Sequence, residues 1–505
     1  MLNVILHTIL ILGAAFLIAT ALRELKSYMS LSYLSAQGIK TLYYPIAGLF
    51  WLLRLQKGSN DQLAELRKTI KNFKDDKAFA INFSYETNPV LVLLDDDLIR
   101  DFFMKEIGNT VKWLHVENLN RGFSLHNGDR AFEARGIYSN FFNHDNLVNI
   151  SARVAKTIDR AMQEFELKEF HGKPSCEVFG KAFITKSMCY LINCVVLGED
   201  EKIFDPKDDL SETIVDYNSR MYYMGNSVQN MATWGLFHRY NIFPESRALW
   251  KDLQFLESEI YARYLRRQST KPQADPNIID SLVEFNKKQR EQGKPELDKK
   301  EISGHWFLFQ LAGIDTTMHL VVYALQVLSH DMKLQETMRK VVDDLYESKK
   351  GQTLSYEDYT ENELIEQFAN ELIRIGSPAA VLNLRKATQE FSVGSIKVKT
   401  GTSILIPAGV NMNSERFYKD PDTFDIDRMT KDNIKKIKRA GFMPFGQGRR
   451  VCPGRVLGEL MTRILIIQTL RKYVVEPSPN SDESKVFGIV YGYKNPQFIL
   501  KKRSS

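Results

Sequence analysis

Apolar residues run almost without interruption from position 2 to position 22, broken only by Asn3, His7, Thr8, Gly13 and Thr20. At roughly 20 residues, such a stretch is just long enough for a helix to span a bilayer. Arg23 and Lys26 follow it and no side-chain positive charge precedes it, so the positive-inside rule places the chain beyond it in the cytosol. A cleaved signal peptide would show a basic start and a small-residue cleavage site, and neither stands out. Residues 42–55 form a second apolar stretch with Tyr43, Tyr44, Phe50 and Trp51, interrupted by Pro45 and too short to span. Its aromatics predict an interfacial segment at headgroup depth.

Beyond this the pattern alternates. Residues 89–94 predict a short strand, and Asp95-Asp96-Asp97 a helix start. Helical periodicity then dominates as far as Ile375, with its most apolar stretch at 302–328, while the polar run 268–277 reads as an exposed loop. A helix over 362–375 is stopped by Gly376, with Pro378 beyond. Between Arg385 and Pro407 short alternating segments punctuated by Gly394 and Gly401 predict a small sheet of hairpins, and residues 456–470 another helix. The expected class is mostly α with minor β. The expected organisation is an anchor at 1–22, a membrane-proximal linker at 23–59 and one large domain at 60–505.

Composition narrows the chemistry. With 44% hydrophobic residues in 505, the chain is long enough for one large core plus an anchor. The net charge of +6 is spread along the chain and gives no footprint for nucleic acid. There is no P-loop and no G-x-S-x-G elbow, and none of the nine histidines forms H-E-x-x-H. Of the four cysteines, Cys176, Cys189 and Cys194 lie in an apolar helical region without a C-x-x-C pair, which reads as buried thiols in a reducing compartment.

The fourth cysteine stands apart, in Phe445-Gly446-Gln447-Gly448-Arg449-Arg450-Val451-Cys452-Pro453-Gly454. Gly448 permits a positive φ in a tight turn, Phe445 can keep water from the sulfur, and Arg450 offers a planar fork to a carboxylate. Gly454 opens the apolar helix, so Cys452 sits near a helix N-terminus, where the dipole favours a thiolate. Further upstream, Ala312-Gly313-Ile314-Asp315-Thr316-Thr317 puts a glycine and two threonines in the middle of the long apolar stretch, which invites a local distortion. Thr316 can bond back to the carbonyl of Ala312, and Asp315 beside it is a proton source. Glu371-Leu372-Ile373-Arg374 places opposite charges on one helical face.

Together these motifs resemble the cytochrome P-450 superfamily, whose F-x-x-G-x-R-x-C-x-G pattern is complete here and whose oxygen-binding helix and E-x-x-R motifs match the other two runs. The resemblance covers the chain from about residue 60 to its end. It implies a large helical domain plus a small β-rich region, and haem b (iron protoporphyrin IX, heme) with Cys452 as the axial metal ligand. Phe445, Gly448, Arg450 and Gly454 would shape the cofactor site, and Arg135 and Arg385 would be further propionate partners. Asp315 and Thr316 would relay two protons to dioxygen, one oxygen leaving as water. Glu371 and Arg374 would lock Arg428. Ala131, Ile426 and Met429 depart from the family pattern, where a tryptophan, a proline and an aromatic are usual.

The microsomal members of this family sit on the endoplasmic reticulum membrane, with a cytosolic catalytic domain. They take electrons from an NADPH-cytochrome (diflavin) reductase or a cytochrome b-type donor, and the chain has no room for a fused reductase. The substrate would be an apolar small molecule held by residues 113–125, 221–224, 309–312, 379–382 and 486–489. Residues 234–243 would add a second membrane contact. Lys431, Lys435, Lys436, Lys438 and Arg439 would meet the acidic face of the reductase. A haem-thiolate isomerase or dehydratase acting on a peroxide, which needs no Asp315–Thr316 relay, and a non-catalytic haem-thiolate sensor are the alternatives.

Overall fold

The computed structural model describes residues 2–44, 62–82, 88–112, 128–139, 141–197, 213, 217, 244–269, 277–350, 352–379, 383–487 and 490–503. The expected interfacial segment 42–55 therefore lies outside the described residues beyond Tyr44, as does 234–243. The chain packs as two compact units. One comprises Met1–Trp113, Ala380–Tyr418 and Lys438–Val451, and the other Leu114–Ala379, Lys419–Ile437 and Cys452–Ser505.

The first unit is built on a six-stranded mixed sheet. Its order is Lys40–Leu42, Ala78–Ile81, Val90–Leu93, Ser403–Ile406, Asn383–Ala387 and Thr110–Lys112. Ala78–Ile81, Val90–Leu93 and Ser403–Ile406 are buried at every position, which explains their continuous apolar text in place of alternation. The expected strand at 89–94 is thus Val90–Leu93. Asp95 caps the helix that follows, its carboxylate accepting from Asp97 N at 3.1 Å and Leu98 N at 3.2 Å.

The N-terminal helix runs unbroken from Leu2 to Ser35. It does not give way to a linker at position 23, because no glycine or proline interrupts residues 23–35 and the helix has a core to reach. Leu31 and Leu34, 2% and 1% exposed, pack into the same cluster as Ala80, Leu91 and Ile404. Leu17, Ile18, Leu22 and Leu25 face outward.

The second unit is mostly helical and centres on the 32-residue helix Lys299–His330. By length and composition this helix is apolar enough to cross a membrane, but its burial makes it a core helix. Asp298 starts it with a capping box, accepting from Glu301 N at 2.8 Å while Glu301 accepts from Asp298 N at 3.1 Å. Helices Gly180–Leu197, Pro244–Gln268 and Arg455–Lys472 pack around it. The first of these approaches closely, since a Cβ on Gly313 would lie 2.6 Å from Ile192 Cδ1 and Gln310 bonds Asn193 at 2.6 Å. A three-stranded sheet (Tyr473–Pro477, Gln497–Lys502, Ser175–Phe179) and a hairpin (Asp482–Phe487 with Tyr491–Asn495) complete the unit.

Candidate functional site

The approach to the cysteine is fixed by local hydrogen bonds in the first unit. Tyr418 donates its hydroxyl to Gly441 O at 2.8 Å, and Val451 N reaches back to Gly448 O at 3.1 Å, closing the turn Gly448–Arg450. Gly448 has φ +62°, and a Cβ there would stand 3.0 Å from the carbonyl oxygen of Phe103. Both facts demand glycine. Phe445 and Arg450 are partly exposed in this segment. In the second unit Cys452 is exposed, and Gly454 is the N-cap of helix Arg455–Lys472, as its place before the apolar run predicted.

Two arginine arrangements suit the carboxylates of a haem. Arg385, 5% exposed, donates to Thr110 through Nε at 3.0 Å and Nη2 at 3.1 Å, and neither partner is a carboxylate. Burial and the neighbouring Arg450 guanidinium push its pKa down to about 10. The two guanidinium charges disfavour each other, and a propionate beside them would offset that repulsion. In the second unit Arg135, on helix Gly128–Ser139, is half-buried; burial lowers its pKa, and the charge of Cys452 opposes that shift. The residues present therefore fit an anionic cofactor with a thiolate ligand.

On the long helix, Thr316 Oγ1 donates to Ala312 O at 2.6 Å, the back-bond expected from the sequence, and the helix continues through it without a break. Burial raises the pKa of Asp315 to about 6, with the positive charge of Lys181 working against the rise. His319, one turn on, bonds through Nδ1 to Asp315 O at 2.8 Å. Burial and the charge of Lys181 drive its pKa down to about 4, so its ring is neutral. Lys181 is itself shifted down by burial, and Asp315 opposes that shift.

Lys181 and His319 were not among the expected site residues. The i to i+4 spacing of Asp315 and His319 was a visible signal. Lys181 was not, because it enters from the start of helix Gly180–Leu197, about 130 residues away in sequence.

Glu371 and Arg374, which their spacing put on one helical face, form a buried pair. Both side chains are 0% exposed, and the guanidinium grips the carboxylate through Nε at 2.7 Å and Nη2 at 2.8 Å. Arg374 also reaches Thr423 O at 3.3 Å, and Glu371 Oε1 accepts from Asp425 N at 3.0 Å. Arg428 stands 3.7 Å from Glu371 and donates to Asp420 O at 3.0 Å. The departures Ile426 and Met429 are absorbed in a 3-10 turn, with Met429 buried and Asp425 capping Asp427 N at 3.0 Å. Of the expected substrate-lining segments, 113–125 and 221–224 lie outside the described residues.

Comparison with known proteins agrees with this geometry. The family model "Cytochrome P450" matches residues 44–500. Cytochrome P450 6B1 of Papilio polyxenes is 23% identical over 78% of this chain and 80% of its own length. Cytochrome P450 6a2 of Drosophila melanogaster is 27% identical, over 43% of this chain and 45% of that protein. Among solved structures, the heme domain of cytochrome P450DA superposes with a TM-score of 0.75 over 92% of this chain and 98% of that one, at 15% identity, which shows a shared fold. The chain belongs to the cytochrome P450 family, and with it to enzymes that hold haem on a cysteine thiolate and carry out monooxygenation.

Proposed function

We propose that this chain is a membrane-anchored monooxygenase that places one atom of dioxygen in an apolar small molecule, the other leaving as water, with electrons from a separate NADPH-dependent diflavin reductase. Cys452 is the thiolate ligand and Arg135 its companion for a propionate; Arg385 and Arg450 form a second anion-binding pair. Haem, when bound, supplies the activation of dioxygen. The protein supplies the protons.

One observation carries this reading: Thr316 is back-bonded to Ala312 beside a carboxyl whose pKa is raised to about 6. Asp315 can thus hold a proton near neutral pH and pass it on, and Thr316 can release Ala312 O and donate instead. An isomerase acting on a peroxide has no use for this pair. The outward-facing Leu17, Ile18, Leu22 and Leu25 favour a lipid-embedded N-terminal helix. The exposed Lys435 and Lys436, and likewise Lys438 and Arg439, are candidates for docking the reductase.

The deciding experiment is turnover with purified reductase, using apolar compounds chosen by their shift of the haem Soret band. An oxygenase consumes NADPH and dioxygen in step with product. Conversion of a peroxide substrate without either would establish the isomerase, and binding without turnover the sensor.

A further inference from the structure

His319 is a buried imidazole with one nitrogen satisfied. Nδ1 lies 2.8 Å from Asp315 O, and a carbonyl only accepts, so Nδ1 carries the proton. Nε2 is then a lone pair, buried and without a hydrogen-bond partner. Protonating it would bury a second donor close enough to Lys181 to feel its charge, which is why the ring stays neutral.

The unpartnered edge of the ring faces the backbone of the C-terminal hairpin. A Cβ built on Gly492 would stand 1.9 Å from His319 Cδ2 and 2.8 Å from Nε2, so any side chain at 492 would displace the imidazole. One turn further along the helix, Tyr323 stacks on Tyr493 with ring centroids 5.8 Å apart, and Lys485 lies over the rings of Tyr323, Tyr491 and Tyr493 at 5.7, 5.5 and 5.8 Å. The hairpin is therefore attached to the long helix at two successive turns. The first attachment leads straight to the carbonyl of Asp315.

We propose that His319 is a positioning residue: it ties the hairpin to the turn of helix that presents Asp315 and Thr316 and holds that turn in its back-bonded geometry. This rests on the reading of Asp315 and Thr316 as the proton-delivering pair. A leucine would fill the space but remove the ring's bond to Asp315 O. An asparagine would keep a donor near the position of Nδ1 and lose the ring edge against Gly492.

The test uses the full-length, haem-loaded protein. Hydrogen exchange of peptides covering 312–320 and 490–495 reads the attachment, and peroxide released per NADPH consumed reads its effect on proton delivery. His319→Leu is expected to speed exchange in both peptides about tenfold and to raise the peroxide ratio severalfold, with His319→Asn restoring the ratio and the protection of 312–320. Gly492→Ala should act like His319→Leu. Adding His319→Ala to Gly492→Ala should not speed exchange in 490–495 beyond that of His319→Leu, because both variants have lost the same attachment and the collision is gone; this double variant serves if Gly492→Ala alone fails to fold. Unchanged exchange in His319→Leu would overturn the attachment. Faster exchange with an unchanged peroxide ratio, where Thr316→Ala raises that ratio, would overturn the positioning role. A Thr316→Ala variant with an unchanged ratio would remove the underlying reading, and the positioning role with it, whatever the exchange showed.

Discussion

Thr316 donates its hydroxyl to the carbonyl of Ala312 at 2.6 Å, one turn back on the same helix. The bond satisfies the hydroxyl internally while leaving it free to exchange partners, since it uses a carbonyl that the helix already serves. A serine should keep most of this behaviour. Thr316→Ala should keep NADPH consumption going while shifting output from product toward hydrogen peroxide, measured as the peroxide-to-product ratio under reductase-driven turnover. Unchanged partitioning would take Thr316 out of proton delivery.

Asp315 gives a prediction with a definite sign. Its pKa rises from 3.8 to about 6 on folding because burial penalises the carboxylate. The native state therefore binds more protons than the unfolded state between pH about 4 and 6, and stability falls as pH rises through that window. Asp315→Asn removes the penalty. Relative to wild type it should be more stable by up to about 3 kcal/mol above pH about 6, with the advantage vanishing near pH 4. Urea unfolding at both ends of the range checks this, and a difference independent of pH would show that Asp315 is not held in its neutral form.

The Glu371–Arg374 pair is wholly buried and shared with the backbone of the 423–425 segment. Removing either partner leaves a charge without its counter-charge. Glu371→Gln or Arg374→Met should each cost about 3–5 kcal/mol, seen as a lowered unfolding midpoint and loss of haem on purification. Arg428→Ala should cost less, because its guanidinium is partly solvated and stands 3.7 Å from Glu371.

The N-terminal helix separates attachment from folding. Deleting residues 1–22 should leave a competent protein with weaker membrane association. Deleting residues 1–35 removes Leu31 and Leu34 from the first unit's core, at about 1.5–3 kcal/mol for each buried leucine. Thermal unfolding of the two truncations should therefore differ clearly; equal midpoints would mean that the docked end contributes nothing.

The site was legible where its chemistry is local in sequence. The turn before Cys452, the Thr316 back-bond and the Glu371–Arg374 pair each depend on residues within a few positions of one another, so local sequence together with the family resemblance pointed to them. The continuation of the first helix to Ser35 was missed because the charges Arg23 and Lys26 read as the end of a membrane span, whereas Leu31 and Leu34 had a distant core to join. Lys181 and Gly492 reach Asp315 and His319 only through tertiary packing. No periodicity in the long helix records the hairpin that lies against it.

The central claim is that Cys452 binds haem iron as a thiolate, and the absorption spectrum of the reduced carbon monoxide complex tests it most directly. Wild-type protein should show the red-shifted Soret band of a thiolate-ligated haem, and Cys452→His should retain haem yet lose that band together with oxygenation. The red-shifted band persisting in Cys452→His would contradict the account.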